Sequence, residues 1–171
     1  MAASMSVSSP AFETALKVGR PPNIQRLFPN SKALLVSGGF IDTAMLAKGK
    51  AISIAANGRS HLVIRGVLQA AQRANSALII EIAKSEGGAS AYCPVNYWNI
   101  ARQVDALCNE LGIAIPIAIH ADHYGIKGEA DIKAAKIEIP SIFDAGITSI
   151  AIDASHLPDD QNLLASIALR A

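Results

Sequence analysis

Residues 113–124 read Ile-Ala-Ile-Pro-Ile-Ala-Ile-His-Ala-Asp-His-Tyr. An apolar run with no charged side chain passes directly into two imidazoles and a carboxylate. A run this short fits a strand buried on both faces, although Pro116 is awkward for a central strand. Three further runs resemble it: 51–56 (AISIAA), 77–83 (ALIIEIA) and 147–152 (ITSIAI). Amphipathic stretches separate them. Ser60 is placed to cap a helix carrying Leu62, Ile64, Val67, Leu68 and Ala71 near one face. A second helix is predicted from Pro94, with Tyr97, Ile100, Val104, Leu107 and Leu111 at helical spacing and Gly112 as its C-terminal cap. A third covers 129–145, interrupted by Pro140. A last one opens at Asp159 or Asp160 and ends near Arg170.

Short apolar runs alternating with amphipathic helices are the pattern of βα units around a parallel sheet, so the fold class is α/β. Two architectures use it, the open doubly wound sheet and the eightfold barrel. Upstream, residues 1–10 read as a flexible arm. A short helix over 12–18 stops at Pro21 and Pro22, and another covers 38–48. The expected organisation is therefore an N-terminal arm with short helices over 1–50, then the βα units over 51–171.

Composition narrows the function. A net charge of +1 and 5% aromatic residues give neither the basic face nor the stacking platforms of a nucleic-acid binder. The longest apolar run, 111–119, is too short to span a bilayer, so no membrane partner is expected. The first 16 residues carry no Lys or Arg and do not read as a signal peptide. A cytoplasmic location and free thiols at Cys93 and Cys108 are the expectation.

Both architectures place their chemistry at the carboxyl ends of strands. There the sequence offers Asn57, the Ser85-Glu86-Gly87-Gly88 stretch, His120-Ala121-Asp122-His123, and Asp153 with His156. Neutral imidazole is a common zinc ligand, and a neighbouring carboxylate orients it or moves protons. A solvated loop with a capping Asp fits the same spacing. The glycine-rich stretch is either an anion cradle of backbone NH groups or a tight turn. Asn57 also suits a turn, and Asp153 also suits a cap. Lys127 admits Schiff-base chemistry or plain surface charge.

His120-Ala121-Asp122-His123 resembles the H-x-D-H motif of class II fructose-bisphosphate and tagatose-bisphosphate aldolases. Residues 150–162 (IAIDASHLPDDQN) are similar to that family's strand-four segment, 85–90 (SEGGAS) to its S-x-G-G-A-S turn, and Ala56-Asn57 to the end of its strand one. The match covers roughly 50–165, in the family's order. It implies the N-terminal portion, about four βα units, of a TIM (β/α)8 barrel. It also implies a zinc-dependent retro-aldol reaction on a phosphorylated sugar in glycolysis or gluconeogenesis. By the motif, His123 is a Zn2+ ligand and Asp122 the acid/base. Asn57 and Ser85 contact substrate, Asp153 supports the metal region, and His120 orients the loop. Ala154 stands where glycine is usual, and Asp160-Gln161 replaces a more acidic pair, which leaves tagatose 1,6-bisphosphate beside fructose 1,6-bisphosphate. The family's other zinc histidines and its phosphate loops lie further along than Ala171. The expectation is thus a fragment, inactive alone and a homo-oligomer when full length. The alternatives are a non-catalytic barrel subunit and an unrelated open α/β binding module.

Overall fold

The computed structural model describes residues 9–169. Most of the arm expected over 1–10, and the expected helix end at Arg170, lie outside those residues. Ser9 and Pro10, the arm's last two positions, cap and open a helix instead. The elements run α1 (Pro10–Gly19), α2 (Pro22–Leu27), α3 (Gly38–Lys48), β1 (Ile54–Asn57), α4 (His61–Ala74), β2 (Leu78–Ala83), α5 (Lys84–Gly87), α6 (Ile100–Leu111), β3 (Ile117–Gly125), α7 (Glu129–Asp144), β4 (Ser149–Asp153) and α8 (Asp159–Ala168).

The four strands form one parallel sheet in the order β1-β2-β3-β4. An open doubly wound sheet reverses its strand order at a switch point and carries helices on both faces. Here the order does not reverse, and the helices that follow the strands all lie on one face. Ile64 and Leu68 of α4, Ile100 and Val104 of α6, Ile139 and Ile142 of α7, and Ala165 of α8 share one core. That core covers the face made by Ile80, Ile82, Ile117, Ile119 and Ala121. A sheet wound in sequence with the helices that follow its strands on one side is consistent with part of a parallel barrel.

The opposite face is covered at its lower end by the N-terminal region. Phe12, Leu34, Val36 and Ile41 pack with Ala114 and Ala118 in a second cluster. The run Ala33–Val36 is fully buried. Val36 N donates to Ile117 O at 2.8 Å and Ile117 N to Leu34 O at 3.0 Å. This stub flanks β3 on the side that β4 takes from His120 onward. Asn23 ties α2 down by donating to the carbonyls of Phe143 and Ile147 at 2.7 and 3.0 Å. Carbonyls left over at a helix end need such a donor.

Several expectations shift. Pro22, read as a stop, is also the first residue of α2, where its missing NH costs nothing. Pro94 and Tyr97 precede α6, which starts at Ile100 after Asn96 and Asn99 exchange turn hydrogen bonds. Pro140 lies within a continuous α7. The largest change concerns the third strand. It starts after Pro116, which removes the difficulty that proline posed, and it runs on to Gly125. The histidines and aspartate therefore lie in the strand itself, not in a loop after it.

Candidate functional site at the strand carboxyl ends

Strand alternation sets one row of side chains on the face away from the helical core. In register across β1, β2 and β3 stand Asn57, Glu81 and His120, with Asp122 two residues further along. His120 pairs with Ser149 of β4, and their side chains hydrogen-bond at 2.9 Å through Nδ1. Burial pushes the His120 imidazole below its ordinary range, partly offset by Asp122. The sequence reading passed over Glu81. Its carboxyl is raised by burial first and by Asp122 second. The available signal was a lone charge inside the apolar run 77–83.

Between Ala121 and Tyr124 the ladder slips. β3 advances three residues while β4 advances two, from Ile150 to Ile152. The extra residue is a bulge, and bulges re-aim side chains beside active sites. His123 takes the left-handed region there, with φ of 43°. A non-glycine residue held there costs roughly 1–3 kcal/mol. The bulge turns His123 outward, with its side chain 71% exposed. Asp122 lies between the two imidazoles, 3.8 Å from His120 Nε2 and 3.6 Å from His123 Nε2. On the other side His123 Nδ1 meets Asp153 Oδ2 at 3.3 Å. The Asp153 hydrogen bond, then the charge of Asp122, raises the His123 pKa. Asp153 accepts from Ser155 Oγ at 2.6 Å and Ser155 N at 3.1 Å. Those two bonds, then His123, hold its carboxyl at about 2. Asp153 is thus held between Ser155 and His123.

Behind the bulge, Tyr124 is buried and donates to Glu138 Oε2 at 2.6 Å. Its ring stacks on Tyr97, and Lys84 Nζ sits 4.1 Å from its centroid. The bulge is thus anchored on the core side by groups outside the motif.

Asn57 ends β1 and is held on both sides. Its Nδ2 donates to Glu86 Oε2 at 2.7 Å, and its Oδ1 accepts from Arg59 N at 3.1 Å. Glu86 also pairs with Arg59 and accepts from Ala83 N. Burial would raise the Glu86 carboxyl, but those partners together lower it. Ser85 is exposed on α5, one helical turn that replaces the expected glycine loop. Its glycines serve packing. A Cβ on Gly87 would press on Ile82 at 2.8 Å, and one on Gly88 on the Lys84 carbonyl at 2.6 Å. Gly88 N is committed to Lys84 O at 2.9 Å. Ser85, Lys84, Lys127, His123 and Asp153 border a cavity of about 410 Å³. His156 lines it too.

Among the described residues, no three His, Cys, Asp or Glu side chains gather closely enough to hold a metal ion. The donors fit one imidazole of a zinc site, His123, with carboxylates placed to orient it. They do not fit a whole three-ligand site. Cys93 and Cys108 are free, and burial pushes the Cys108 thiol up. No helix among the described residues is long and apolar enough to cross a membrane.

A four-stranded parallel α/β sheet, wound in sequence and with a polar rim at its carboxyl ends, defines the class. The family model described as "Fructose-bisphosphate aldolase class-II" matches residues 43–169, and the chain belongs to that family. It is 34% identical over 99 residues to a fructose-bisphosphate aldolase of Staphylococcus aureus and 33% over 99 residues to one of Staphylococcus epidermidis. It is also 34% identical over 99 residues to a probable fructose-bisphosphate aldolase of Bacillus subtilis. Each alignment takes in 58% of this chain, and the chain spans 30% of the length of these relatives.

Proposed function

We propose that residues 51–171 form the first half of a zinc-dependent class II aldolase barrel, preceded over 1–50 by an arm and short helices. The complete protein would cleave fructose 1,6-bisphosphate reversibly to dihydroxyacetone phosphate and glyceraldehyde 3-phosphate. The observation that carries the reading is the Asp122 carboxylate. It faces two imidazoles on a strand bulge at the rim, within a chain of this family. Both outer strands, β1 and β4, have one neighbour each among the described residues, which suits a sheet that further strands close.

In this reading Asp122 takes the proton from the C4 hydroxyl as the C3–C4 bond breaks, and returns it in condensation. His123 holds the zinc, and Asp153 keeps its ring oriented. His120, tied to Ser149, fixes the strand beneath. Asn57 and Ser85 contact the half of the sugar that leaves as the aldehyde. Zinc, where bound, polarises the substrate carbonyl as a Lewis acid. The test is Asp122→Ala in the full-length protein. Loss of a general acid/base lowers kcat by roughly 10²–10⁴-fold. Zinc content, measured on the same samples, should be unchanged. Wild-type turnover in the variant would remove Asp122 from this role.

A further inference from the structure

Asp122 pairs with Ala83 of β2, Tyr124 pairs with Ile152 of β4, and His123 stands between them. The ladder therefore changes partner across the residue that carries the left-handed φ. A non-glycine residue stays in that region only where its surroundings over-determine it. The hold comes from the residue that follows. Tyr124 is buried and donates to Glu138 Oε2 at 2.6 Å, the length of a hydroxyl bond to a charged acceptor. Burial, then that bond, push its phenol up, so the hydroxyl stays a donor. The next two residues of the same helix turn that face the sheet, Ile139 and Ile142, are set in the core, so α7 is a fixed support. From the side of β2, Lys84 Nζ lies over the Tyr124 ring and donates to Gly125 O at 3.3 Å.

This arrangement is costly for packing alone. Glu138 Oε1 and the hydroxyl of Tyr97, whose ring stacks on Tyr124, are both buried without a hydrogen-bond partner among the described residues. A leucine and two phenylalanines would fill the same space and orphan nothing. Such local costs are retained where a site needs them.

We propose that Glu138 is a positioning residue for the site: acting through Tyr124, it holds the bulge that turns His123 to the rim and keeps Asp122 between the two imidazoles. Resting on the aldolase reading, its loss misplaces the acid/base and the zinc imidazole together.

The test uses the full-length protein in two arms. The first follows the Cα and Cβ carbon chemical shifts of His123 in metal-free samples, which distinguish left-handed from extended backbone. Left-handed shifts are expected in the wild type and in Glu138→Gln, whose amide oxygen still accepts from Tyr124. Glu138→Leu should move them to extended values. The second arm measures cleavage of fructose 1,6-bisphosphate at a temperature where circular dichroism shows every variant folded. Glu138→Leu should lower kcat roughly 10²-fold, the scale of an about 1 Å misplacement arising far from the chemistry. Glu138→Gln should keep most of the wild-type kcat. A merely structural Glu138 would cost stability yet leave the His123 shifts and the kcat of the folded protein where they are. Either result in Glu138→Leu would overturn the positioning role. Should Glu138→Leu not fold, Tyr124→Phe, which keeps the ring and loses only the hydroxyl, takes its place with the same expectations. If the wild-type protein does not cleave the sugar, the aldolase reading falls and the His123 shifts decide alone. A left-handed signature that depends on Glu138 then keeps its hold on the bulge, and unmoved shifts overturn it.

Discussion

Asp153 and Asp122 both press negative charge on His123, and the consequence is a pH signature at one residue. The imidazole titrates above its ordinary range because its charged form is the one those carboxylates favour. The stabilisation from that raised pKa is full below the ordinary imidazole range and is lost as pH rises through the folded-state value. For Asp153, held at about 2, the sign is opposite. Its contribution is present above the ordinary carboxylate range and is lost as pH falls toward 2. In Asp153→Asn, the His123 titration followed by NMR should move down toward the ordinary imidazole value. An unmoved titration would mean that Asp153 does not set it. The motif residues were legible because two imidazoles and a carboxylate rarely end an apolar run. Glu81 was not, because it is a lone charge among apolar neighbours and meets Asp122 only across the sheet; the stretch holding Glu86 was in view, but its contacts to Asn57 and Arg59 come from another strand end.

At the scale of the element, β3 is where sequence and structure part most. Apolar periodicity located the strand, but it placed the boundary where hydrophobicity ended, at Ile119. The ladder continues because β4 supplies partners on one side and β2 on the other as far as Ala83. A bulge has no composition of its own, so nothing in the one-letter pattern marks the extra residue at Asp122-His123. Its anchor is Tyr124 on Glu138, whose Oε1 is buried without a hydrogen-bond partner among the described residues. Tyr124→Phe leaves the half-buried Glu138 carboxylate without its side-chain donor. An orphaned buried acceptor costs roughly 1–3 kcal/mol, more when charged. A loss of that order in urea-unfolding stability is expected. A variant as stable as the wild type would show that the hydrogen bond does not anchor the bulge. The amphipathic helices α4, α6 and α7 were far easier to read, since burial of one face fixes their periodicity.

At the scale of the molecule, four βα units cover one face of the sheet up to the start of β1, and the other face is covered only at its lower end. Ile54 of β1 and Leu62 of α4 are 63% and 78% exposed, and Leu163 and Leu164 are 62% and 65% exposed on α8 beyond β4. Apolar surface at both open edges is the kind that further strands and helices cover, and an uncovered edge invites association. The alternation of runs and helices made the parallel βα units legible but left the strand order open between the doubly wound sheet and the barrel. The burial of Ala33–Val36 beside β3 was not legible, since four apolar residues outside any repeat carry no sign of a partner as distant in sequence as Ile117. The proposed division of labour makes a direct demand on the chain itself. It supplies Asp122 and one zinc imidazole, while the other ligands must come from elements that the described residues do not contain. The decisive measurement is a coupled cleavage assay on fructose 1,6-bisphosphate, run with added zinc on the monomer fraction of purified residues 1–171 from size-exclusion chromatography. No cleavage above background is expected. A zinc-replete monomer that cleaves the sugar would contradict both the half-barrel assignment and the placement of the missing ligands.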